Sequence, residues 1–143
     1  MAKRFFRIFN WIHIFLYRST SGRVGGRIQG LQVLLLTTTG RRTRKERTVP
    51  LGAFEEGGAY IITASNAGFD VHPGWFLNLR SDPRVRIQVG AKTTNVQARI
   101  LEGAERERLW DRLVALSPGY RRYERSTQRA IPLIALRRGS HPE

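Results

Sequence analysis

The sequence predicts a mainly β, α+β fold, in which antiparallel strands form a small barrel or sheet and helices pack on it. Short apolar or alternating runs, typical of strands, follow one another with connections of only a few residues, as hairpins do. Two stretches, 3–18 and 104–116, space their apolar residues as amphipathic helices do. The order of elements lacks a regular strand–helix–strand alternation, so a βαβ fold is not expected.

The individual elements follow from local residue patterns along the chain. The strand predictions rest on apolar, β-branched or alternating runs, at 32–39, 47–54, 59–64, 84–89, 93–101 and 131–136. Residues 65–82 begin as a loop and become a short helix, since Pro73 suits its first turn and Pro83 follows its end. A helix at 104–116 with Leu109, Leu113 and Leu116 facing inward, and a polar helical segment at 120–128, precede the last strand.

The chain is predicted to divide into a basic amphipathic helix (1–18), a glycine-rich linker (19–30), a barrel domain (31–138) and a tail (139–143). One face of the N-terminal helix is apolar, with Phe5, Ile8, Phe9, Ile12, Phe15 and Leu16. The opposite side of the helix is basic, but it also carries two apolar residues, Trp11 and Ile14. This run is too short and too charged to span a bilayer. Two interpretations stay open: the helix lies on an anionic membrane surface, or its apolar face packs on the domain's own core or on a second subunit.

Charge and composition limit the classes of partner. The net charge is +14, and ten Lys or Arg residues precede the first acid, Glu46, which points to an anionic partner. There is no cysteine, and the three histidines, His13, His72 and His141, lack metal-ligand spacing, so no metal site is expected. A nucleic-acid-binding protein is not favoured, because aromatic and basic residues do not alternate on a strand as single-strand binders require. Absence of cysteine is compatible with a cytoplasmic location, peripheral to the inner face of the cell membrane if the helix binds lipid.

The basic hairpin around Gly40 is the strongest local signal. Its tip carries Arg41, Arg42, Arg44, Lys45 and Arg47, whose mutual repulsion lowers stability unless an anion compensates it. Guanidinium groups and threonine hydroxyls are suited to phosphate or carboxylate groups. A solvated surface turn is the alternative interpretation.

Three sequence blocks carry a resemblance to a known family. They are TTTGRRTRKERTVPL, ITASNAGFDVHPGWFLNL and SPGYRRYERSTQRAIPLIAL, in this order. Together they resemble the deazaflavin (coenzyme F420)-dependent nitroreductase and quinone reductase family over residues 31–136. The resemblance implies a split β-barrel like that of the FMN-binding proteins, and the use of coenzyme F420. This cofactor is an 8-hydroxy-5-deazaflavin with a phosphodiester and an oligoglutamate tail, an anionic partner of the kind that the hairpin requires.

The resemblance also implies which residues meet the cofactor. The predicted cofactor-binding residues are Arg41, Arg42, Thr43, Arg47, Thr48, Pro50, Ser65, Asn66, Ala67, Gly68, Trp75 and Asn78. An FMN-binding barrel protein, or a carrier of cofactor without turnover, is the alternative. A single phosphate would need fewer cations than this hairpin supplies, which weighs against FMN.

The implied reaction is hydride transfer to a quinone, a nitro compound or another conjugated acceptor, including unsaturated lipids. Ser65, Tyr120 and Tyr123 are the predicted catalytic hydroxyls, because each can hydrogen-bond an acceptor oxygen as charge develops on it. In two departures from the family pattern, Ser117 and Gly52 replace aromatic residues, and the smaller pocket lining suggests a larger or differently shaped acceptor. Whether the protein is a monomer or a homodimer stays open.

Overall fold

The computed structural model describes residues 2–139, with side chains described from residue 9 onward. The predicted tail, 139–143, lies outside the described residues except for Gly139. The helices are α1 Ala2–Ser19, α2 Gly74–Ser81, α3 Gly103–Leu116 and α4 Tyr120–Ser126. The strands are β1 Arg27–Ile28, β2 Leu31–Thr39, β3 Glu46–Glu56, β4 Ala59–Thr63, β5 Arg84–Val89, β6 Lys92–Ile100 and β7 Leu133–Arg137.

Six strands form a closed antiparallel barrel in the order β2-β3-β4-β7-β6-β5, and β5 pairs again with β2. The longest ladder joins β2 to β3, with Leu34 opposite Leu51 and Thr37 opposite Thr48. The predicted α+β class with an antiparallel barrel is confirmed. Predicted strand ends differ from the observed ones by one or two residues in most cases, because ladders continue into the polar turn residues.

The barrel core follows the two-residue period of its strands. Alternate residues of all six strands form one buried cluster, and α2 adds Phe76 and Leu79 to it. The opposite faces of β3, β4 and β7 pack against α3 and α4, through Leu109, Trp110 and Leu113 of α3. Leu116, predicted to face inward, is exposed instead, because α3 ends at this residue and it does not join the cluster. α2 and the α3–α4 pair therefore contribute to two separate packed clusters.

β2 is buried on both faces, which explains its continuous apolar run. Leu34 and Leu36 belong to the barrel core, whereas Val33 and Leu35 lie under α1. Tyr17 of α1, with only 1% of its surface exposed, packs on Val33 and Leu35. The helix is therefore a fixed part of the domain at its C-terminal half.

The docking of α1 on the barrel is reinforced by hydrogen bonds. The Tyr17 hydroxyl donates to the carbonyl of Val33 at 3.0 Å and accepts from the amide of Gly90 at 2.7 Å. Nε2 of His13 lies 2.8 Å from the carbonyl of Gly25. Since His13, Ile14 and Tyr17 share one face of the helix, this face defines how α1 sits on the barrel.

The apolar face predicted for the N-terminal helix does not pack on the core. Phe9, Ile12, Phe15 and Leu16 are exposed, as is Trp11 with 67% of its surface. Phe5 and Ile8, predicted on the same face, lie outside the side chains that the structure describes. Packing of this face on the domain's own core was therefore the wrong alternative: the narrower face around Tyr17 docks, because its hydroxyl satisfies backbone groups of β2 and the β5–β6 turn. Within the described chain, no helix has the length and apolarity that crossing a bilayer requires.

The segment predicted as a flexible linker, 19–30, is ordered against the barrel. β1 pairs antiparallel with β2, and the amide of Val33 donates to the carbonyl of Gly26 at 2.9 Å. The sequence indicated no strand here, because two residues flanked by glycines are too few to show a period. The helix is therefore fixed to the barrel, whereas the linker interpretation assumed that it could move independently.

We expect Tyr17→Phe to lower the free energy of unfolding by about 1–3 kcal/mol, because the Val33 carbonyl and the Gly90 amide lose a buried partner. Urea denaturation measures this difference. Trp11→Phe, on the exposed side of the same helix, is the control and should change stability by less than about 0.5 kcal/mol. Equal effects of the two substitutions would contradict the docking described here.

Candidate functional site

A cavity of about 530 Å³ lies beside the barrel, between β3, the end of β4, the loop after β4, α2 and α4. This volume is within the range of roughly 300–1,000 Å³ that is usual for sites of small organic molecules. Apolar and aromatic groups dominate its wall, and hydroxyl and amide groups enter it from several sides. Its lining includes Pro50, Thr63, Ser65, Trp75, Tyr120 and Tyr123.

The structure brings seven of the predicted site residues together in this wall. They come from four separate segments of the chain: Pro50, Ser65, Asn66, Ala67, Trp75, Tyr120 and Tyr123. The other predicted residues do not line the cavity: Arg41, Arg42, Thr43, Arg47, Thr48, Gly68 and Asn78. The predicted set therefore separates into a cavity group and a group outside it.

The loop after β4 enters the cavity wall in a strained conformation. Asn66 and Ala67 have positive φ angles of 48° and 53°, a backbone conformation that residues other than glycine rarely adopt. Gly68 follows with φ of 82°, and a Cβ there would lie 2.2 Å from Oγ of Ser126 on α4. Gly68 thus permits close packing of the loop on α4 and stands behind the wall, not in it. Such strain is a feature of ligand-binding loops.

Arg129 holds this loop in place. Its guanidinium donates hydrogen bonds to the carbonyls of Ala64 (3.0 Å), Ser65 (2.9 Å) and Phe69 (3.0 Å). A further contact of 3.2 Å joins it to Nδ1 of His72. Burial, with arginines nearby, lowers the pKa of His72, so the ring is favoured in the neutral form that can accept this bond.

A second anchor joins the same loop to the segment after α4. The carboxylate of Asp70 accepts hydrogen bonds from the hydroxyl of Thr127 at 2.8 Å and from the amide of Gln128 at 3.1 Å. These bonds lower the pKa of Asp70, so the carboxylate stays ionised in ordinary conditions. Sequence reasoning missed Arg129 and Asp70, although both lie within the blocks that carry the resemblance, because their contacts span about sixty residues.

Thr63 was also missed, and its hydroxyl is the one buried side-chain polar atom within the described residues that has no hydrogen-bond partner. Thr63 is 8% exposed and lines the cavity at the end of β4. An unpaired buried hydroxyl costs stability, so its place in a cavity wall fits a site that a polar ligand completes. This hydroxyl, the aromatic wall and the cationic hairpin together fit a polar aromatic ring with an anionic tail.

The two predicted tyrosines lie side by side on α4 and face the cavity. Their rings are 5.3 Å apart and nearly perpendicular, at 89°. Burial, and then the neighbouring Tyr123, raises the pKa of Tyr120 to about 12, so Tyr120 stays protonated at neutral pH. Tyr123 is half-buried, and its hydroxyl oxygen accepts a hydrogen bond of 2.8 Å from Nε2 of Gln29.

The cations of the hairpin are exposed and lie beyond the cavity. Within the described residues, Arg42, Arg44, Lys45 and Arg47 form no ion pair with an acidic side chain. Arg47 precedes the cavity residue Pro50 on β3 by three residues, roughly 10 Å along an extended strand. The hairpin therefore presents uncompensated positive charge next to the cavity. This separation suits a ligand whose aromatic ring lies in the cavity and whose anionic tail extends to the hairpin.

Asn78 connects the hairpin to α2 instead of lining the cavity. Its side-chain oxygen accepts hydrogen bonds from the backbone amide of Arg41 (3.2 Å) and from the guanidinium of Arg41 (2.9 Å). Its amide donates to the hydroxyl of Thr38 at 3.2 Å. Arg41 also reaches the carbonyl of Gly74, at the start of α2, at 3.5 Å. Asn78 is buried with these partners, so it fixes the hairpin relative to Trp75.

The two positions that depart from the family pattern do not simply enlarge the cavity. Gly52 lines it, but a Cβ there would lie 3.0 Å from Leu31 and 3.3 Å from Ile28, which already occupy the adjoining space. Ser117 is buried outside the lining, where its hydroxyl donates to the carbonyl of Gln29 at 2.6 Å. At Gly52, residues of the β1–β2 hairpin fill the space that an aromatic side chain would take, so the cavity gains little volume there. Ser117 does not line the cavity, so it does not change the cavity volume.

Known proteins that resemble this chain indicate its family. The family model described as F420H(2)-dependent quinone reductase matches residues 9–138. An F420H(2)-dependent quinone reductase of Mycobacterium tuberculosis is 39% identical over 131 residues, which are 89% of this chain and 88% of the relative.

Two solved structures extend the comparison to the fold. An F420-H2 dependent reductase is 41% identical, with a TM-score of 0.67 over 73% of this chain and 92% of its own. A chain described as a domain-swapped dimer is 34% identical, with a TM-score of 0.70 over 95% of this chain and 99% of its own. The split-barrel fold implied by the resemblance is thereby confirmed.

Among the described residues, no cluster of acidic or histidine side chains could hold a metal ion. The family's cofactor is organic, and the cavity and hairpin fit it. The chain belongs to the F420H(2)-dependent quinone reductase family, and it is a reductase that uses coenzyme F420.

Proposed function

We propose that this protein transfers a hydride from reduced F420 to a quinone at the surface of a membrane. The observation that carries the proposal is the juxtaposition on β3 of an aromatic cavity and an unpaired cationic hairpin. The cavity matches the ring and the acceptor, and the hairpin matches the phosphodiester and the glutamate tail. Both parts of the cofactor would then be held by one strand.

The cofactor contacts divide between these two parts. Pro50, Trp75, and the loop of Ser65, Asn66 and Ala67 would enclose the ring, with Gly68 allowing the loop to reach it. Outside the cavity, Arg42 and Arg47 would bind the anionic groups, since their guanidinium groups have no acidic partner. Arg41 and Asn78 would set the position of the hairpin, and Thr43 and Thr48 would support it. Thr43 accepts from the amide of Lys45 at 3.2 Å, and Thr48 bonds to Thr37 at 2.8 Å.

The protein's part in the reaction is to position the acceptor and stabilise its charge. Bound reduced F420 supplies a hydride from C5 of its ring. As the hydride arrives, negative charge grows on the quinone oxygen, and a hydroxyl aimed at that oxygen stabilises it. Tyr123 is the proposed proton donor. Tyr120, whose pKa is about 12, would act as a neutral hydrogen-bond donor. Ser65 would orient the ring or the acceptor from the loop after β4, which also lines the cavity.

Quinones are the acceptor class that the cavity supports best. Ile28 and Phe69 line it and are also exposed, so its mouth is apolar and favours an apolar, planar molecule. Nitro compounds and other conjugated acceptors would use the same hydroxyl donors. The name that the Mycobacterium tuberculosis relative carries supports the quinone over these.

The exposed face of α1 supports action at a membrane surface. Trp11 stacks on Phe15 with ring centroids 5.9 Å apart, and Arg18 lies beside them on the same helix. Aromatic residues flanked by arginine are suited to the interface of an anionic bilayer. Asn10, on the same helix, lines the cavity. A lipid-soluble acceptor would therefore have a short path from the membrane to the site.

Reversing charge in the hairpin tests the anion site. We expect Arg42→Glu with Arg47→Glu to weaken F420 binding by about 10- to 100-fold at low salt, as loss of charge-assisted hydrogen bonds predicts. Fluorescence titration measures the dissociation constant, and the difference should shrink as salt screens the charges. Lys92→Glu with Arg138→Glu, at positions outside the hairpin and outside the cavity lining, makes the same charge change and should bind normally. Unchanged affinity in the hairpin variant would exclude the proposed tail site.

Removing the phenol tests the proton donor. Tyr123→Phe should lower kcat with a soluble quinone about 100-fold, in the range usual for general acids, while F420 affinity stays within about twofold. Steady-state kinetics and titration separate the two effects. Tyr60→Phe, away from the cavity, is the matched control and should retain wild-type kcat. A wild-type rate for Tyr123→Phe would remove this residue from the chemistry.

Changing the exposed helix face tests the membrane proposal. Trp11→Ala with Phe15→Ala should lower the affinity for phosphatidylglycerol vesicles at least about tenfold, because two interfacial aromatic groups are lost. Turnover of a soluble quinone should not change. Ile100→Ala with Leu116→Ala, at exposed apolar positions elsewhere, is the control. Full vesicle binding by the helix variant would contradict the proposal. So would a dimer of the wild-type protein in solution that is lost only in the helix variant, because the exposed face would then be a subunit interface.

A further inference from the structure

Gln29 occupies a turn that ordinarily favours a different residue. β1 and β2 are joined by two residues, Gln29 and Gly30, with φ angles of 50° and 81°. Positive φ at both positions of a two-residue hairpin favours Asn–Gly, since asparagine tolerates this region better than longer side chains. Glutamine at this position therefore costs local stability. Its side chain, longer than that of asparagine, reaches a hydrogen-bond partner outside the hairpin.

Both ends of Gln29 are fixed by groups outside the hairpin. Its backbone carbonyl accepts a hydrogen bond of 2.6 Å from the hydroxyl of Ser117, a residue with only 3% of its surface exposed. Gly30 passes close to the carbonyl of Leu116, which a Cβ would approach to 3.2 Å. The turn is therefore held against the C-terminal end of α3, and Ser117 sets where the glutamine side chain begins.

The side chain ends on Tyr123. Its Nε2 donates to the phenol oxygen at 2.8 Å, and both residues line the cavity. Because the amide N–H occupies one acceptor position of this oxygen and cannot itself accept, the phenol O–H must point in another direction. The ring of Tyr120 stands at a right angle beside Tyr123 and limits its rotation. Because Tyr123 lines the cavity, its O–H is then available to an acceptor bound there.

We propose that Gln29 is a positioning residue that directs the Tyr123 proton at the acceptor, and that Ser117 fixes Gln29 for this task. The inference rests on the proposed role of Tyr123 as proton donor. A quinone that receives the hydride gains two electrons and one proton. The second proton comes from the Tyr123 phenol, whose O–H bond breaks as the new O–H bond forms on the acceptor. The Gln29 amide N–H stabilises the phenolate until water returns the proton.

This inference makes the N-terminal segment part of the site. Gln29 and Ile28 line the cavity and belong to the stretch that sequence patterns assign to a linker. The serine at 117, where the family pattern has an aromatic residue, takes a specific role: it is small enough to be buried beneath the turn and it carries the hydroxyl that holds the carbonyl of Gln29.

The test uses Gln29→Asn in the full-length protein. Asparagine suits the turn, so the variant should fold at least as stably as wild type, but its side chain is too short to reach Tyr123. We expect kcat with a soluble quinone to fall about tenfold, as loss of one hydrogen bond predicts, while F420 affinity stays within about twofold. Ser117→Ala should lower kcat in the same direction.

Nuclear magnetic resonance of protein labelled with ¹³C at the tyrosine ζ carbon provides a readout independent of turnover. The Tyr123 signal is assigned by its loss in Tyr123→Phe, and it should shift in Gln29→Asn while the Tyr60 signal stays in place. In the Tyr123→Phe background, Gln29→Asn should lower kcat no further.

The outcomes separate this inference from the proposed function. An unmoved Tyr123 signal with wild-type kcat in Gln29→Asn would overturn the role of Gln29, even where Tyr123→Phe is inactive. An additional loss of kcat in the Tyr123→Phe background would overturn it as well, since Gln29 would then act through another group. A wild-type kcat in Tyr123→Phe would instead overturn the proton donor on which the inference rests.

Discussion

The arrangement of the site depends on the pairing of β2 with three strands. β2 pairs with β1, β3 and β5, so it closes the barrel and connects the N-terminal segment to it. Its inward residues enter the core, and its outward residues Val33 and Leu35 receive α1. Because the β2–β3 register is fixed on both faces, the cationic turn that joins these strands has a fixed position relative to the cavity. The turn and Pro50 are then parts of one rigid hairpin.

Two kinds of support hold the polar groups of the site. Arg129 binds the carbonyls of Ala64, Ser65 and Phe69 and so stabilises a strained loop that few other contacts would keep in place. Asn78 and Arg41 join the hairpin to α2. In the proposed binding mode, with the ring of F420 in the cavity and its tail on the hairpin, both regions would have to keep a constant separation, which these supports provide. Within the described residues, the Thr63 hydroxyl has no hydrogen-bond partner, and Arg42, Arg44 and Arg47 of the hairpin have no acidic partner. These local costs fit the proposed ligand site.

Much of the barrel could be predicted from residue patterns, because its strands alternate or are buried on both faces, and both patterns are visible in the sequence. The sequence could not indicate which face of α1 docks. Amphipathicity shows where apolar residues lie, but the hydroxyl of Tyr17 and its backbone partners decide the contact. Likewise, Gln29 and Tyr123 are 94 residues apart and meet only in the fold. Of the site residues predicted from the resemblance, those around the loop after β4 line the cavity, whereas Asn78 lies outside it and bonds to Arg41 and Thr38.

The most direct test of the account is an equilibrium titration of the wild-type protein with three ligands: F420, its deazaflavin ring without phosphodiester and tail, and FMN. The account attributes binding to a cavity for the ring and a hairpin for the tail. It predicts that F420 binds at least about 100-fold more tightly than the bare ring at low salt, with the difference decreasing as salt rises, and more tightly than FMN. Equal affinity for F420 and the bare ring, or tighter binding of FMN, would contradict it.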